Sequence, residues 1–257
     1  MRVCMGAGGR TPLGSPSGVE QGTNSPRRGS ASRSKCADCA TRKLCIIGGL
    51  PQAAVSGMGP RMRERIFEQG EMLSREGDVG SHFRIIKVGR VFLCHGNPDG
   101  AERPVAIAER GSVFGLCSYM GQPNQISILA ASSGRLCEIE TERIESLARN
   151  DRTFRERLGK LFSDNVRLLS RWAGALGRRN VVSQVAISLQ LMAEGQHSTL
   201  VTIPSHTALA ELLGTTRESV ARALGALETA GCLQRKSLRR CEIHSVPLRD
   251  WVARHTS

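Results

Sequence analysis

Ser205-His-Thr-Ala-Leu-Ala-Glu-Leu-Leu-Gly214-Thr-Thr-Arg-Glu-Ser-Val-Ala-Arg-Ala-Leu-Gly-Ala-Leu-Glu-Thr-Ala230 is two apolar-periodic segments joined at a glycine. Ser205 to Leu213 reads as one helix and Thr215 to Ala230 as a second, with Gly214 as the turn between them. Thr215-Thr-Arg-Glu218 fits a capping box, a threonine N-cap with a glutamate three residues on. At about 100° per residue, Val220, Ala223, Leu224 and Leu227 fall on one side of the second helix. Arg217, Glu218, Ala221, Arg222 and Gly225 fall on the other. One face packs and the other is presented.

The presented face carries the chemistry of base reading. Arginine grips guanine O6 and N7 with two hydrogen bonds, glutamate accepts from the cytosine amino group, and a methyl such as that of Ala221 meets a thymine methyl. These side chains sit at the N-terminal end of the helix, the end a helix-turn-helix points into the major groove. The candidate DNA-binding residues are Arg217, Glu218, Ala221, Arg222, Ser205 and Thr216. A hairpin with Arg235, Lys236, Arg239 and Arg240 follows, suited to phosphate contact. The competing reading is an ordinary helical pair with a solvated charged face. Cap, glycine turn, face partition and basic hairpin all agree against it. The whole chain of 257 residues carries a formal charge of +13, a balance that favours a polyanionic partner, usually nucleic acid.

Upstream, Thr153 to Arg178 reads as one long amphipathic helix with Leu158, Leu161, Phe162, Val166, Leu169, Trp172, Ala173 and Leu176 on a single stripe. A long helix between two modules often pairs with its twin, so Leu158, Phe162, Val166, Leu169, Trp172 and Leu176 are the expected seam of a homodimer. Before it, from about Glu64 to Glu140, short β-type runs such as Phe83 to Val88 and Arg90 to Cys94 alternate with glycine turns. Asn97-Pro-Asp-Gly100 is a strong hairpin signal. Many short strands at this spacing suggest a barrel or jelly roll. Residues 1–35 have no hydrophobic period and carry six basic residues against one acid, which reads as a disordered basic arm.

The expected organisation is therefore α+β. A cysteine segment and β-roll sensor domain spans residues 36–152, a dimerisation helix spans 153–178, and a winged helix-turn-helix domain spans 179–257. No apolar run approaches a membrane span, and Met1 to Arg10 lacks the apolar stretch of a secretion signal, so a cytoplasmic location is expected. The cytosol keeps thiols reduced, and nine cysteines there call for metal or redox chemistry rather than a disulfide framework.

Cys36-Ala-Asp-Cys39-Ala-Thr-Arg-Lys-Leu-Cys45 packs three cysteines into one short segment. A cubane cluster needs four thiolates and a structural zinc needs four N or S ligands, so one ligand must come from elsewhere. Cys4, Cys94, Cys117, Cys137, Cys232, Cys241 or a histidine could supply it, and spacing alone does not choose. Cys94 and Cys117 lie in apolar runs and read as small core residues. The six histidines are scattered and form no acid–base or nucleophilic constellation, so an enzyme is the distant alternative; His206, at a helix start, suits a phosphate contact.

From about residue 36 to 250, the order of cysteine cluster, β-roll, long helix and winged helix-turn-helix resembles the Crp/Fnr superfamily of bacterial regulators, and within it the Fnr type. The Fnr cluster motif is C-x2-C-x5-C plus a distant cysteine in a C-E-I context, which the triplet and Leu136-Cys137-Glu-Ile139 match. The resemblance implies a roll of the cyclic-nucleotide-binding type and a [4Fe–4S] cluster on Cys36, Cys39, Cys45 and Cys137. It further implies a homodimer bound to a near-palindromic double-stranded DNA site while the cluster is intact, released when oxygen degrades it, with RNA polymerase as protein partner. The alternative is a zinc- or thiol-based regulator with the same DNA-binding half. Relatives that bind cyclic AMP carry an Arg-Ser pair after the glycine turn. Gly121-Gln-Pro-Asn-Gln-Ile-Ser127 has no arginine, so no cyclic nucleotide is expected.

Two departures from the Fnr pattern stand out. Fnr-type recognition helices carry Glu, then Ser, then Arg; Glu218 and Arg222 match, but Ala221 replaces the serine. Arg217 resembles the cyclic-AMP-binding branch, which tilts the expected half-site toward TGTGA rather than TTGAT. On the seam, Phe162, Val166, Leu169 and Trp172 are apolar and Asp164 lies off the stripe, so no charge opposes pairing.

Overall fold

A computed structural model describes residues 32–33, 36, 39–57, 62–96 and 100–255. Most of the N-terminal arm and the first three residues of the Asn97–Gly100 turn lie outside them.

Two antiparallel sheets form the N-terminal module. The first has the order β1-β2-β9-β4-β7, from Ser32–Arg33, Met62–Phe67, Gly134–Glu140, His82–Val88 and Val113–Phe114. The second has the order β3-β8-β5-β6, from Met72–Ser74, Ser127–Ala130, Val91–Gly96 and Glu102–Ala108. Side chains alternate faces along a strand, so each face of the first sheet has its own packing partner. Phe67, Ile86 and Leu136 point into the roll and pack with Val91, Leu93 and Ile128. Met62, Phe83, Ile85, Cys137 and Ile139 point outward, under the segment from Ile46 to Leu50 and under Ile144, Phe154 and Leu158. This is the expected β-roll. The end of the segment read as a disordered arm is tied to it, because Ser32 pairs with Glu64 and Arg33 with Arg63.

Two short helices accompany the roll, and two more lead out of it. After α1 (Gln52–Ser56) and α2 (Leu116–Tyr119), α3 spans Thr141–Asn150 and α4 spans Arg152–Leu176. The Asp151 side chain caps α4 by accepting from the Phe154 amide. The link to α5 (Val181–Gln196) is short, and Gln184 donates to the carbonyls of both Leu176 and Arg178, which fixes the corner. The C-terminal module then adds β10 (Leu200–Thr202), α6 (His206–Leu213), α7 (Arg217–Thr229), β11 (Leu233–Ser237), β12 (Arg240–Ile243) and α8 (Ser245–His255). Its sheet has the order β10-β12-β11. The cores of roll and C-terminal module are continuous, running from Ala106 and Ile107 through Trp172 and Val185 to Leu212 and Leu224.

Candidate DNA interface and cysteine site

The helix-turn-helix is built by two hydroxyl caps and one glycine. Ser205 Oγ accepts from the Ala208 amide at 3.1 Å and starts α6. Gly214 ends it in the left-handed region, φ 62°, where a side chain would be strained. The cap of α7 is Thr216, one residue later than the capping-box reading placed it. Its Oγ1 accepts from the Ser219 amide at 3.2 Å and donates to Ser219 Oγ at 3.0 Å. Glu218 therefore sits at the second helical position and is exposed rather than folded back onto a cap. Val220, Ala223, Leu224 and Leu227 are buried, whereas Arg217, Glu218 and Arg222 are exposed and Ala221 is half-buried between them. The face partition expected from the sequence holds at each of these positions.

The hydroxyls of Ser205 and Thr216 are engaged in capping, so both act first as framework under the presented face. Ser219 is the residue the sequence reading missed. Its hydroxyl receives Arg222 Nη2 at 3.3 Å and orients that guanidinium. In the wing, Arg235 is held by Glu228 at 2.6 Å and Lys236 by Glu242 at 2.7 Å. Arg239 and Arg240 make no ion pair among the described residues and are exposed. Burial, Arg217 and Arg235 together push the His206 imidazole below its usual range.

On α4 the single stripe read from the sequence splits into two. Phe154, Leu158, Trp172 and Ala175 turn inward and are buried in the chain's own cores. Leu158 (2 % exposed) and Trp172 (1 %) are therefore not seam residues. Phe162 and Leu176 are half-buried, while Val166 (68 %) and Leu169 (38 %) face outward. The two rows lie about a quarter turn apart on the helix, and a wide apolar stripe blends them. Phe162, Val166, Leu169, Ala173 and Leu176 keep alternating spacings of four and three, the heptad rhythm of a paired helix.

The three cysteines of the N-terminal segment lie over the outer face of the first sheet. Cys36 Sγ contacts Met62 Sδ at 3.7 Å, and Thr41 Oγ1 donates to the Lys87 carbonyl at 3.0 Å. Cys36 and Cys45 pack against the apolar cluster that contains Cys137. Burial, with the fields of Cys36 and Cys39 added, pushes the Cys45 thiol up, while the amides of Gly48 and Ile47 pull it down. Of the other distant candidates, Cys94, Cys232 and Cys241 belong to the other core. Burial pushes the Cys94 thiol up to about 12 and the Cys241 thiol up to about 11. Cys117 is half-buried rather than a core residue, and Cys4 lies outside the described residues. The donor set suits an iron–sulfur cluster in kind, and Cys36, Cys45 and Cys137 share one apolar cluster. Among the described residues no three His, Cys, Asp or Glu side chains converge closely enough to hold a metal ion.

Two family models match this chain. Residues 64–151 match the cyclic nucleotide-binding domain and residues 170–247 match the Crp-like helix-turn-helix domain. The chain belongs to the Crp/Fnr family of transcription regulators. Over 173 residues (67 % of this chain, 80 % of the relative), this Crp/Fnr regulator is 27 % identical to the cyclic AMP receptor protein of Thermus thermophilus. It is 23 % identical to the "Probable transcriptional activator" of Rhizobium leguminosarum bv. viciae, over 79 % of this chain and 87 % of that protein. FixK2 from Bradyrhizobium japonicum has the same fold, with a TM-score of 0.65 and 23 % identity across 74 % of this chain and 96 % of that one. These relatives are regulators rather than enzymes.

In this Crp/Fnr regulator the roll's polar groups bond to one another. Ser127 donates to Glu102 at 2.9 Å and accepts from the Glu76 amide at 2.9 Å. Glu138, buried, collects Arg63 and Arg84 at 2.9 Å and Arg65 at 3.4 Å. Burial opposes ionisation there, but the arginines, Arg84 foremost, hold the carboxyl below its usual range. No described helix is long and apolar enough to cross a membrane.

Proposed function

We propose that this regulator is of the Fnr type, responding to oxygen or redox state through a [4Fe–4S] cluster on Cys36, Cys39, Cys45 and Cys137. The observation that carries this reading is that Cys137 shares one apolar cluster with Cys36 and Cys45, while the buried alternatives lie elsewhere. The bound cluster would supply a bridge of iron–thiolate bonds between segment and strand that oxygen can dismantle. The chain's own residues supply the coupling. Gly49 lies against the Arg157 side chain, and Ile46, Ile47 and Leu50 share an apolar cluster with Leu158 and Leu161 of α4, so the position of the cysteine segment bears directly on the helix that carries Val166 and Leu169.

Paired through α4, two α7 helices would reach successive major grooves of a near-palindromic site about one helical turn apart. Arg217 beside Glu218, with Ala221 in place of serine, favours a TGTGA-like half-site. RNA polymerase is the expected protein partner and the cytoplasm the expected location. Cyclic nucleotide is not the expected effector: residues 121–127 hold no arginine, and the Ser127 hydroxyl is already donated to a carboxylate that would repel a phosphate.

Anaerobic reconstitution followed by an absorption spectrum, with iron and sulfide assay before and after air, tests this reading. A broad visible band that bleaches in air and is lost in Cys137→Ala is expected. A colourless protein that binds zinc, or no metal at all, would overturn the sensing mechanism and leave the DNA-binding function standing.

A further inference from the structure

The first sheet runs β2-β9-β4, so Cys137 on β9 is flanked by Glu64 on β2 and Ile85 on β4 in register, and all three share the outer face. Between Ile86 and Val88 the register of β4 shifts, which makes Lys87 the extra residue of a β-bulge. Bulges re-aim side chains. Here the Lys87 ammonium donates to the Glu64 carboxylate, two strands away, so the ion pair spans β9 in the neighbourhood of Cys137. Both side chains are largely buried, and Arg135, also on β9, closes the group by donating to Glu64 at 3.0 Å. The cysteine segment covers it, with the Thr41 hydroxyl on the Lys87 carbonyl.

We propose that Lys87, drawn across β9 by Glu64, is a positioning residue that places positive charge at Cys137 and sets the reduction potential of a cluster bound there. The proposal rests on the [4Fe–4S] reading above. Four thiolates and a cubane form an anionic assembly, and net charge and hydrogen bonding around the sulfurs govern its potential. Lys87, Glu64 and Arg135 together leave one net positive charge beneath the segment, whose Arg42 and Lys43 add to it from above.

The test is spectroelectrochemical titration of the anaerobically reconstituted full chain, with circular dichroism to confirm folding. Lys87→Met should shift the midpoint potential negative and Lys87→Arg should retain it. Glu64→Gln, which removes the opposing charge, should shift it positive. If Lys87→Met holds no cluster, the Lys87→Arg and Glu64→Gln pair decides. Equal potentials across the series, or shifts of one sign in both Lys87→Met and Glu64→Gln, would overturn the role of Lys87 and leave the cluster reading intact. A wild-type chain that takes up no cluster would overturn the reading itself.

Discussion

Gln196 donates its side-chain amide to the buried Glu109 carboxylate at 2.9 Å, and the same nitrogen reaches the Thr202 carbonyl at 2.9 Å. Glu109 follows strand β6 of the roll directly, and Gln196 ends α5 of the DNA-binding module. Arg90, from the turn between β4 and β5, adds a bond to the same Thr202 carbonyl. The carbonyl at the end of β10 is thus held from two points, one of them on the roll.

Glu109 should make stability depend on pH. Burial pushes its carboxyl up from 4.5 to about 7, against the pull of Arg90 and Gln196. An acid with a raised native value holds its proton more tightly when folded, so the folded state is favoured most at low pH. That contribution is lost as pH rises from about 4.5 through 7 and changes little above. Urea denaturation of the wild type should show a decline on the order of 2–3 kcal/mol from this group between pH 5 and 8. The decline should be absent in Glu109→Gln; the same slope in both proteins would refute the assignment.

The split of α4 separates folding from pairing. Val166→Glu should weaken self-association in sedimentation equilibrium and leave the melting of the monomer nearly unchanged. Leu158→Ala should cost roughly 2–5 kcal/mol of stability. The opposite pattern would restore the single stripe read from the sequence.

Recognition helix and wing should fail in different ways. Arg217→Ala and Arg222→Ala should each cost about 1–3 kcal/mol on the preferred site and relax base choice. Arg240→Ala should weaken all sequences alike and reduce the salt slope by about one. Fluorescence anisotropy across a salt series reads both. In-vitro selection that returned TTGAT half-sites would remove the TGTGA expectation.

Thr216→Ala should destabilise the C-terminal module by about 1 kcal/mol, because the Ser219 amide loses its acceptor. Thr215→Ala should leave stability nearly unchanged, since the Thr216 hydroxyl caps the helix. Comparing the two by thermal melting decides between a cap at Thr216 and the capping box read from sequence.

The helix-turn-helix was legible because its signals are local: a glycine at a left-handed position, hydroxyl caps, and a period of 3.6. Strands β4 and β5 were legible for the same reason, within a residue or two at their ends. What stayed hidden depends on residues far apart in the chain. Nothing in the run from Glu102 to Ala108 announces that Glu109 will meet Gln196. The three arginines around Glu138 come from two strands. The seam was overdrawn because a helix packed on two sides offers one broad apolar stripe, and hydrophobicity does not say which part faces its own chain. The strand at Ser32–Arg33 escaped because two residues carry no period.

Helix α4 runs unbroken for 25 residues, about 37 Å at the usual rise, with the cysteine segment against its first third and Trp172 locked near its far end. A rod held this way behaves as a crankshaft. No proline interrupts the hydrogen-bond ladder between Arg157 and Trp172, so the helix runs through without a proline kink. A small rotation at the segment would swing Val166 and Leu169 around the axis and carry the corner at Gln184 sideways, so pairing and the spacing of the two DNA-reading heads would be geared to one motion.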